Sequence, residues 1–418
     1  MIICMGCMRE LNRPSRFCPY CGYDSSQGPG MPYFLEPGTI LKNRYIVGKS
    51  IGNGGFGITY IGYDIVLNRR CAIKEYFPRD LSQRPKGTLR VQSFGGSGAE
   101  QFRLGLDSFL TEAKKLAEFT YIPQIVDVYD CIQANGTGYI IMEYISGSTI
   151  GQILKKQGRY SYEEARDLMI EVLKGLVRVH KGNVIHRDIA PDNIMLTPGG
   201  QVKLIDFGAA RQVIADRSMN YSVILKPGYA PVEQYSATGR QGPWTDVYAV
   251  GATFYRMITG KKPPVSLDRL QNDELKAPSQ CGEDIPRYAD QLILGAMEIR
   301  PEDRIQSAEE FLTALVEEKT VHIRREEGIT PLDVMKYAVS FLGIMIFTAF
   351  LVCFGLELAV NGNNMVYEIM GSRSGQETGE NDTGEDGAGE DDTGEDAIGA
   401  EIIISTRQTE GEEDGRDV

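Results

Sequence analysis

Hydrophobic and polar positions change rhythm several times along this chain. "NRYIVGKSIG" (43–52), "GITYIGYDI" (57–65) and "RRCAIKEYF" (69–77) read as three successive extended runs. "DSFLTEAKKLAEF" (107–119) switches to a helical period, with Phe109, Ala113, Leu116 and Ala117 on one face and Glu112 beside them. "GYIIMEYISG" (138–147) predicts a strand entering a connector. A long helix follows from Glu163 and leads into "HRDIAPDN" (186–193) and "QVKLIDFGAA" (201–210). Strand-like and helix-like patterns alternate in this way over 44–318, which predicts one main domain of the α+β class. A different pattern appears at 337–356, "YAVSFLGIMIFTAFLVCFGL", twenty residues without a charge. At ~1.5 Å per residue they would span roughly 30 Å, the thickness of a bilayer's hydrocarbon core. A buried core helix is usually shorter and carries a polar face. A single transmembrane helix is therefore expected at 337–358.

Charge supports that division. The net charge of −13 is concentrated at one end. Residues 361–418 hold 17 acidic and 3 basic residues, while the preceding 360 hold 40 acidic and 41 basic. The main body is close to neutral, so no nucleic-acid partner is expected. Arg324, Arg325 and Lys336 precede the apolar stretch, and no Lys or Arg follows it until Arg373. The positive-inside rule then puts the large N-terminal part in the cytoplasm and the tail outside a cell membrane. The tail at 359–418 repeats "TGEND" and "TGED" and is too polar to bury a core, so it is expected to be disordered. Residues 25–43 are rich in Gly, Pro and Ser and read as a linker, and residues 319–336 as a mixed-charge juxtamembrane connector. No charged n-region followed by an apolar stretch opens the chain, so no signal peptide is expected.

Four of the eight cysteines sit in residues 1–24, as "CMGC" and "CPYC". Two C-x2-C knuckles separated by ten residues can hold four thiolates around one zinc ion at about 2.3 Å. Cys4, Cys7, Cys18 and Cys21 fill all four positions, which favours a closed structural zinc ribbon; iron or a redox dithiol pair are the alternatives. A module this small has almost no core, so the metal would supply much of its folding energy.

"IGNGGFGITY" (51–60) is a G-x-G-x-x-G motif formed by Gly52, Gly54 and Gly57. Its flanks are extended on both sides, which fits a hairpin over phosphates better than a dinucleotide-binding strand–helix turn. A cation, Lys74, ends the third run. In order come Glu112, H-R-D-x4-N, D-F-G, "YAPVEQY", Asp246 and Arg304. Over 44–318 the chain resembles the eukaryotic-type (Hanks-type) serine/threonine protein kinases of bacteria, with a two-lobed protein kinase fold.

The resemblance implies a role for each matching position. The loop Ile51, Gly52, Asn53, Gly54, Gly55, Phe56, Gly57 would cover the phosphates of ATP. Thr59, Ala72, Met142 and Met195 would sandwich the adenine, with Glu143 and Ile145 bonding its edge. Lys74, oriented by Glu112, would hold the α- and β-phosphates. Asn193 and Asp206 would hold Mg²⁺ or Mn²⁺, and Asp188 would take the proton of a Ser or Thr hydroxyl on a protein substrate. Glu233 would pair with Arg304, Asp246 would brace the catalytic loop, and His186 would stack on Phe207. Ser218, Tyr221 and Ser222 are the candidate phosphosites that could pair with Arg187, and dimerisation for trans-autophosphorylation is a further expectation. Two departures stand out. Glu112 lies 38 residues after Lys74, with "RPKGTLRVQSFGGSGAEQF" between them reading as a surface insertion. Serine/threonine kinases carry a lysine where Ala190 stands, while Lys226 replaces their threonine seven residues before Glu233. Lys226 is expected to supply the charge that Ala190 lacks. The alternative function is a pseudokinase scaffold that gathers partners at the membrane through the ribbon.

Overall fold

A computed structural model describes residues 2–208, 225–236, 238–320, 335, 339–353 and 356. The chain divides into two units, Met1–Gly328 and Ile329–Val418. The first begins with a small hairpin, β1 (Ile2–Ile3) and β2 (Glu10–Leu11). Each knuckle closes on itself: Cys4 N–H donates to Arg9 O and Cys18 N–H to Tyr23 O. Gly6 lies against the Tyr23 side chain, whose Cβ an added Cβ would approach to 2.3 Å, so no larger residue fits that turn.

A six-stranded antiparallel sheet forms the N-terminal lobe, in the order β3-β4-β5-β6-β10-β9. Its strands are β3 (Ile40–Leu41), β4 (Tyr45–Asn53), β5 (Gly57–Asp64), β6 (Arg69–Tyr76), β9 (Val128–Ala134) and β10 (Thr137–Glu143). The three extended runs of the sequence are thus β4, β5 and β6. Gly57 is fixed by close approach, since a Cβ there would meet Glu75 O at 2.5 Å. The ribbon rests on this sheet. Lys49 N–H donates to Met5 O at 2.8 Å, and buried Met8 lies where a Cβ on Gly48 would be.

Residues 25–43 differ from the linker expected of them. Leu35 is buried, Tyr33 stacks on Phe77, and Phe34 meets Tyr60 edge-on. Composition marked the Gly and Pro positions but not the three consecutive large side chains that fill the lobe's side. The insertion after β6 is likewise not a surface loop throughout. It forms a second hairpin, β7 (Ser82–Gln83) with β8 (Gln92–Ser93), and then the first turns of α1 (Ser97–Ala117), which starts ten residues before the predicted helix. Arg84 is buried against the Glu75 carboxylate and also donates to Tyr33 O. Tyr60 O–H donates to Glu75 at 3.1 Å and accepts from Leu35 N–H at 3.1 Å. Burial pushes the Glu75 carboxyl above its usual range even with Arg84 beside it. One buried charge pair therefore ties the 25–43 segment and the insertion to the strand that carries Lys74. The α1 helix buries Phe102, Leu106, Phe109, Ala113 and Leu116, spaced by three and four, against β9 and β10.

Helices build the second lobe: α2 (Ile150–Gln157), α3 (Tyr162–Lys181), α4 (Pro243–Thr259), α5 (Ser266–Gln271), α6 (Arg287–Ala296) and α7 (Ala308–Val316). A small sheet of β11 (Ser148–Thr149), β12 (Ile194–Leu196) and β13 (Val202–Leu204) lies beneath the first lobe. Both α2 and α3 open with capping boxes, Thr149 with Gln152 and Ser161 with Glu164. Nearly all of α4 is buried, with α3 and α6 packed against it, so the polar residues at its start are held rigidly.

In the second unit, residues 339–353 are helical and their large apolar side chains, including Phe341, Ile344, Phe347 and Leu351, are exposed. Among the described residues no helix is long and apolar enough to cross a membrane. The ends of the expected 337–358 span, the acidic tail and the candidate phosphosites Ser218, Tyr221 and Ser222 lie outside the described residues.

Candidate active site

The loop from His186 to Asn193 lies between α3 and β12, and α4 holds it from behind. Asp246, in the first turn of α4, is fully buried. Its Oδ2 accepts from His186 N–H and from His180 Nε2, both at 2.8 Å, and its Oδ1 accepts from Arg187 N–H at 2.8 Å. Burial alone would raise the Asp246 pKa, but the His180 hydrogen bond and the neighbouring donors outweigh it, so the carboxyl stays below its usual range. Gln234 Nε2 donates to Arg187 O at 2.8 Å. These bonds hold Arg187 at φ 65°, a strained backbone for a side chain of its size. His186 packs on Phe207 as expected, but with the rings tilted by 32° rather than stacked and their centroids 4.2 Å apart. Burial outweighs the nearby carboxylates and pushes the His186 pKa down to about 4, so its ring is neutral at pH 7.

Held this way, the loop presents Asp188 to the cleft. Asn193 Nδ2 donates to Asp188 O at 2.7 Å and to Asp188 Oδ2 at 2.5 Å, which leaves Asn193 Oδ1 as that side chain's free ligand atom. Asp206, at φ 61°, lies two residues past the end of β13 and lines the same cavity as Asn193. Lys74 Nζ lies 2.7 Å from Asp206 Oδ1, so its ion pair is with this carboxylate and not with Glu112 as expected. Glu112 lines the same space without meeting the lysine. Lys226 Nζ reaches to 3.3 Å from Asp188 Oδ2.

Two adjoining cavities share Gly52, Thr59, Asp192 and Asp206. The first, about 310 Å³, is lined by the expected Ile51, Ala72, Met142, Glu143, Ile145 and Met195. It is a mainly apolar slot with a strand-edge backbone beside it, suited to a flat heterocycle. The second, about 360 Å³, is lined by Asn53, Gly54, Phe56, Gly57, Lys74, Glu112, Asn193 and Lys226. Cations and glycine backbone line this part, as a polyphosphate requires. Of the predicted loop residues, Gly55 lines neither cavity; its carbonyl accepts from Arg79 N–H. Asn193 and Asp206 line this second cavity, and their side-chain oxygens are a hard donor set that fits Mg²⁺ or Mn²⁺.

A second buried ion pair braces the helical lobe. Glu233 and Arg304 are both buried and meet at 2.8 Å, as expected from the sequence. Thr245 Oγ1 donates to Glu233 at 2.9 Å, and Arg304 also donates to Trp244 O, Glu298 O and Ile299 O. The sequence reading missed His180, Gln234 and the cavity-lining Val126, Gln152 and Ile205. Gln234 and Ile205 stand beside motif residues, in "YAPVEQY" and just before D-F-G, whereas His180, Val126 and Gln152 lie outside the motifs and reach the site from other elements.

A family model described as a protein kinase domain matches residues 45–316. The chain belongs to that family. Its kinase domain is 36% identical over 294 residues to the serine/threonine-protein kinase PknA of Nostoc, covering 66% of this chain and 47% of that protein. It is 31% identical over 289 residues to the serine/threonine-protein kinase PknB of Mycobacterium leprae, covering 66% and 43%. A solved structure, PpkA-294 in its apo form, superposes with a TM-score of 0.62 at 34% identity, covering 68% of this chain and 99% of that one. The chain spans about half the length of the curated relatives it matches.

Outside the kinase domain, the four N-terminal thiols converge. Cys4 and Cys21 sulfurs are 3.8 Å apart, as are those of Cys7 and Cys18, and all four lie within 4.8 Å of one another. Tetrahedral thiolates at about 2.3 Å from an ion would sit about 3.8 Å from each other, so the set fits one tetrahedral metal.

Proposed function

We propose that this chain is an ATP-dependent serine/threonine protein kinase, anchored in a membrane with its kinase domain in the cytoplasm. The observation that carries the activity is one cleft lined by Lys74, Asn193 and Asp206 beneath a glycine-rich hairpin, with Asp188 bonded to Asn193 beside it. ATP would place its adenine between Ala72 and Met195 and its phosphates under Gly52–Gly57. Mg²⁺ or Mn²⁺, held by Asn193 and Asp206, would supply neutralisation of phosphate charge. Asp188, fixed by Asn193, orients an acceptor hydroxyl and takes its proton, while Lys74 draws the phosphates toward Asp206. The Glu233–Arg304 pair and Asp246 hold the segment on which a protein substrate would lie. A scaffold without catalysis needs none of this geometry, so the pseudokinase alternative is not favoured. Incubating the full chain with γ-labelled ATP and Mg²⁺ should label the protein or added casein on serine or threonine. Label on tyrosine alone, or none, would exclude the reading.

Anchoring rests on the uncharged 337–356 stretch, the cations before it and the exposed apolar side chains of 339–353. Protein substrates and dimerisation for trans-autophosphorylation are the partners this reading calls for. The ribbon would hold structural zinc, the common ion for four closed thiolates. Purified chain is expected to carry about one zinc by atomic emission, and Cys7→Ser to lose it. Iron in place of zinc, or an unchanged metal content in the variant, would refute that assignment.

A further inference from the structure

We infer that Lys226 is a catalytic residue of this kinase, the cation that meets the γ-phosphate during transfer, in place of the lysine absent at position 190. The inference rests on the kinase reading above. Position 190 is alanine, 1% exposed, so the catalytic loop carries no charge at that point. Lys226 stands on the opposite wall. Its side chain is 27% exposed, drawn in from solvent, with Nζ at 3.3 Å from Asp188 Oδ2. It lines the same cavity as the glycine-rich loop, Asn193 and Asp206. Among the described residues lining that cavity, Lys74 and Lys226 are the cations. Lys74 is engaged at 2.7 Å with Asp206, on the side where the α- and β-phosphates would lie. Lys226 is the one beside the proton acceptor.

The backbone of Lys226 is set rather than loose. Its carbonyl accepts from Tyr229 N–H at 3.0 Å and from Ala230 N–H at 3.1 Å. Gly228 follows at φ +86°, and a Cβ there would come within 2.7 Å of Pro263 O. Ser266 Oγ donates to Ala230 O at 2.8 Å and fastens the turn to α5. The lysine thus projects from a turn docked on the second lobe, and that turn runs directly into the segment that carries Glu233.

In the reaction the acceptor oxygen forms a bond to the γ-phosphorus. The bond from that phosphorus to the β,γ-bridging oxygen breaks, and its electron pair leaves with ADP. The hydroxyl proton passes to Asp188 and then to water. Lys226 keeps its own protons: its ammonium lies between the Asp188 carboxylate and the transferring group and balances negative charge where both come together. The catalytic charge therefore arrives with the segment that receives the protein substrate, and not with the loop that carries the base.

The test uses the full 418-residue chain, γ-labelled ATP, Mg²⁺ and dephosphorylated casein. Lys226→Met should lower kcat by about a hundredfold or more while KM for ATP stays within about threefold, because a contact made mainly in the transition state is lost. Lys226→Arg should keep more activity than Lys226→Met, which separates charge from folding. Ala190→Lys combined with Lys226→Thr should recover at least about tenfold over Lys226→Thr alone. A Lys226→Met protein with kcat unchanged would overturn the inference. So would a kcat above wild type, which would make the ion pair a restraint on Asp188. Both differ from failure of the kinase reading, in which the wild-type chain itself shows no Asp188-dependent transfer and the inference falls with it.

Discussion

Asp188→Asn should reduce phosphotransfer to casein by about a thousandfold and leave the melting temperature within a few degrees of wild type. A positioned general base contributes about 10²–10⁴-fold, and the amide cannot take the proton. The rest of the loop should survive the change. Asn193 still finds Asp188 O and an amide oxygen in place of Oδ2, and Asp246 holds the loop through backbone N–H groups rather than through Asp188. Binding of a fluorescent ATP analogue should persist, because the adenine cavity and Lys74 are untouched. A variant retaining a tenth of wild-type kcat would remove Asp188 from the proton-accepting role.

Arg304→Met should cost about 3–5 kcal/mol of stability, read as a fall in melting temperature of about 10 °C. Arg304 is 3% exposed and Glu233 5%, so neither has water to fall back on. Removing the guanidinium leaves a buried carboxylate with Thr245 as its remaining donor and strips three backbone carbonyls of theirs. The cost is that of uncompensated polar groups and says little about the net value of the pair. Glu233→Met together with Arg304→Met should therefore lose less than the sum of the single changes. Strict additivity in thermal unfolding would mean that the two side chains do not act as a pair.

What could be read from the sequence was what short contiguous motifs carry. The glycine-rich hairpin, the strand lysine, H-R-D-x4-N and D-F-G each place their own chemistry within a few residues, and the structure gathers them in one cleft. The Glu233–Arg304 pair was legible only because two motifs in the same family pattern announce its halves. Where local composition was the sole guide, it misled. Arg84 reads as a surface residue, since burial of a lone arginine is costly, and only the fold sets Glu75 against it. Residues 33–35 sit among Gly and Pro and read as linker, although their side chains fill the lobe.

By itself the sequence determined the kinase lobes, the motif residues that meet in the cleft and the four-thiol cluster, because periodicity and motif spacing are local properties of the chain. Tertiary structure alone decided which charges meet. Lys74 has both Asp206 and Glu112 lining its cavity, and in the fold its Nζ lies 2.7 Å from Asp206. Lys226 and Asp188 are 38 positions apart in sequence, and a turn fastened by Gly228 and Ser266 brings them to 3.3 Å. Ion pairing falls off over a few ångströms, so it is fixed by how elements dock, which no single stretch of sequence encodes.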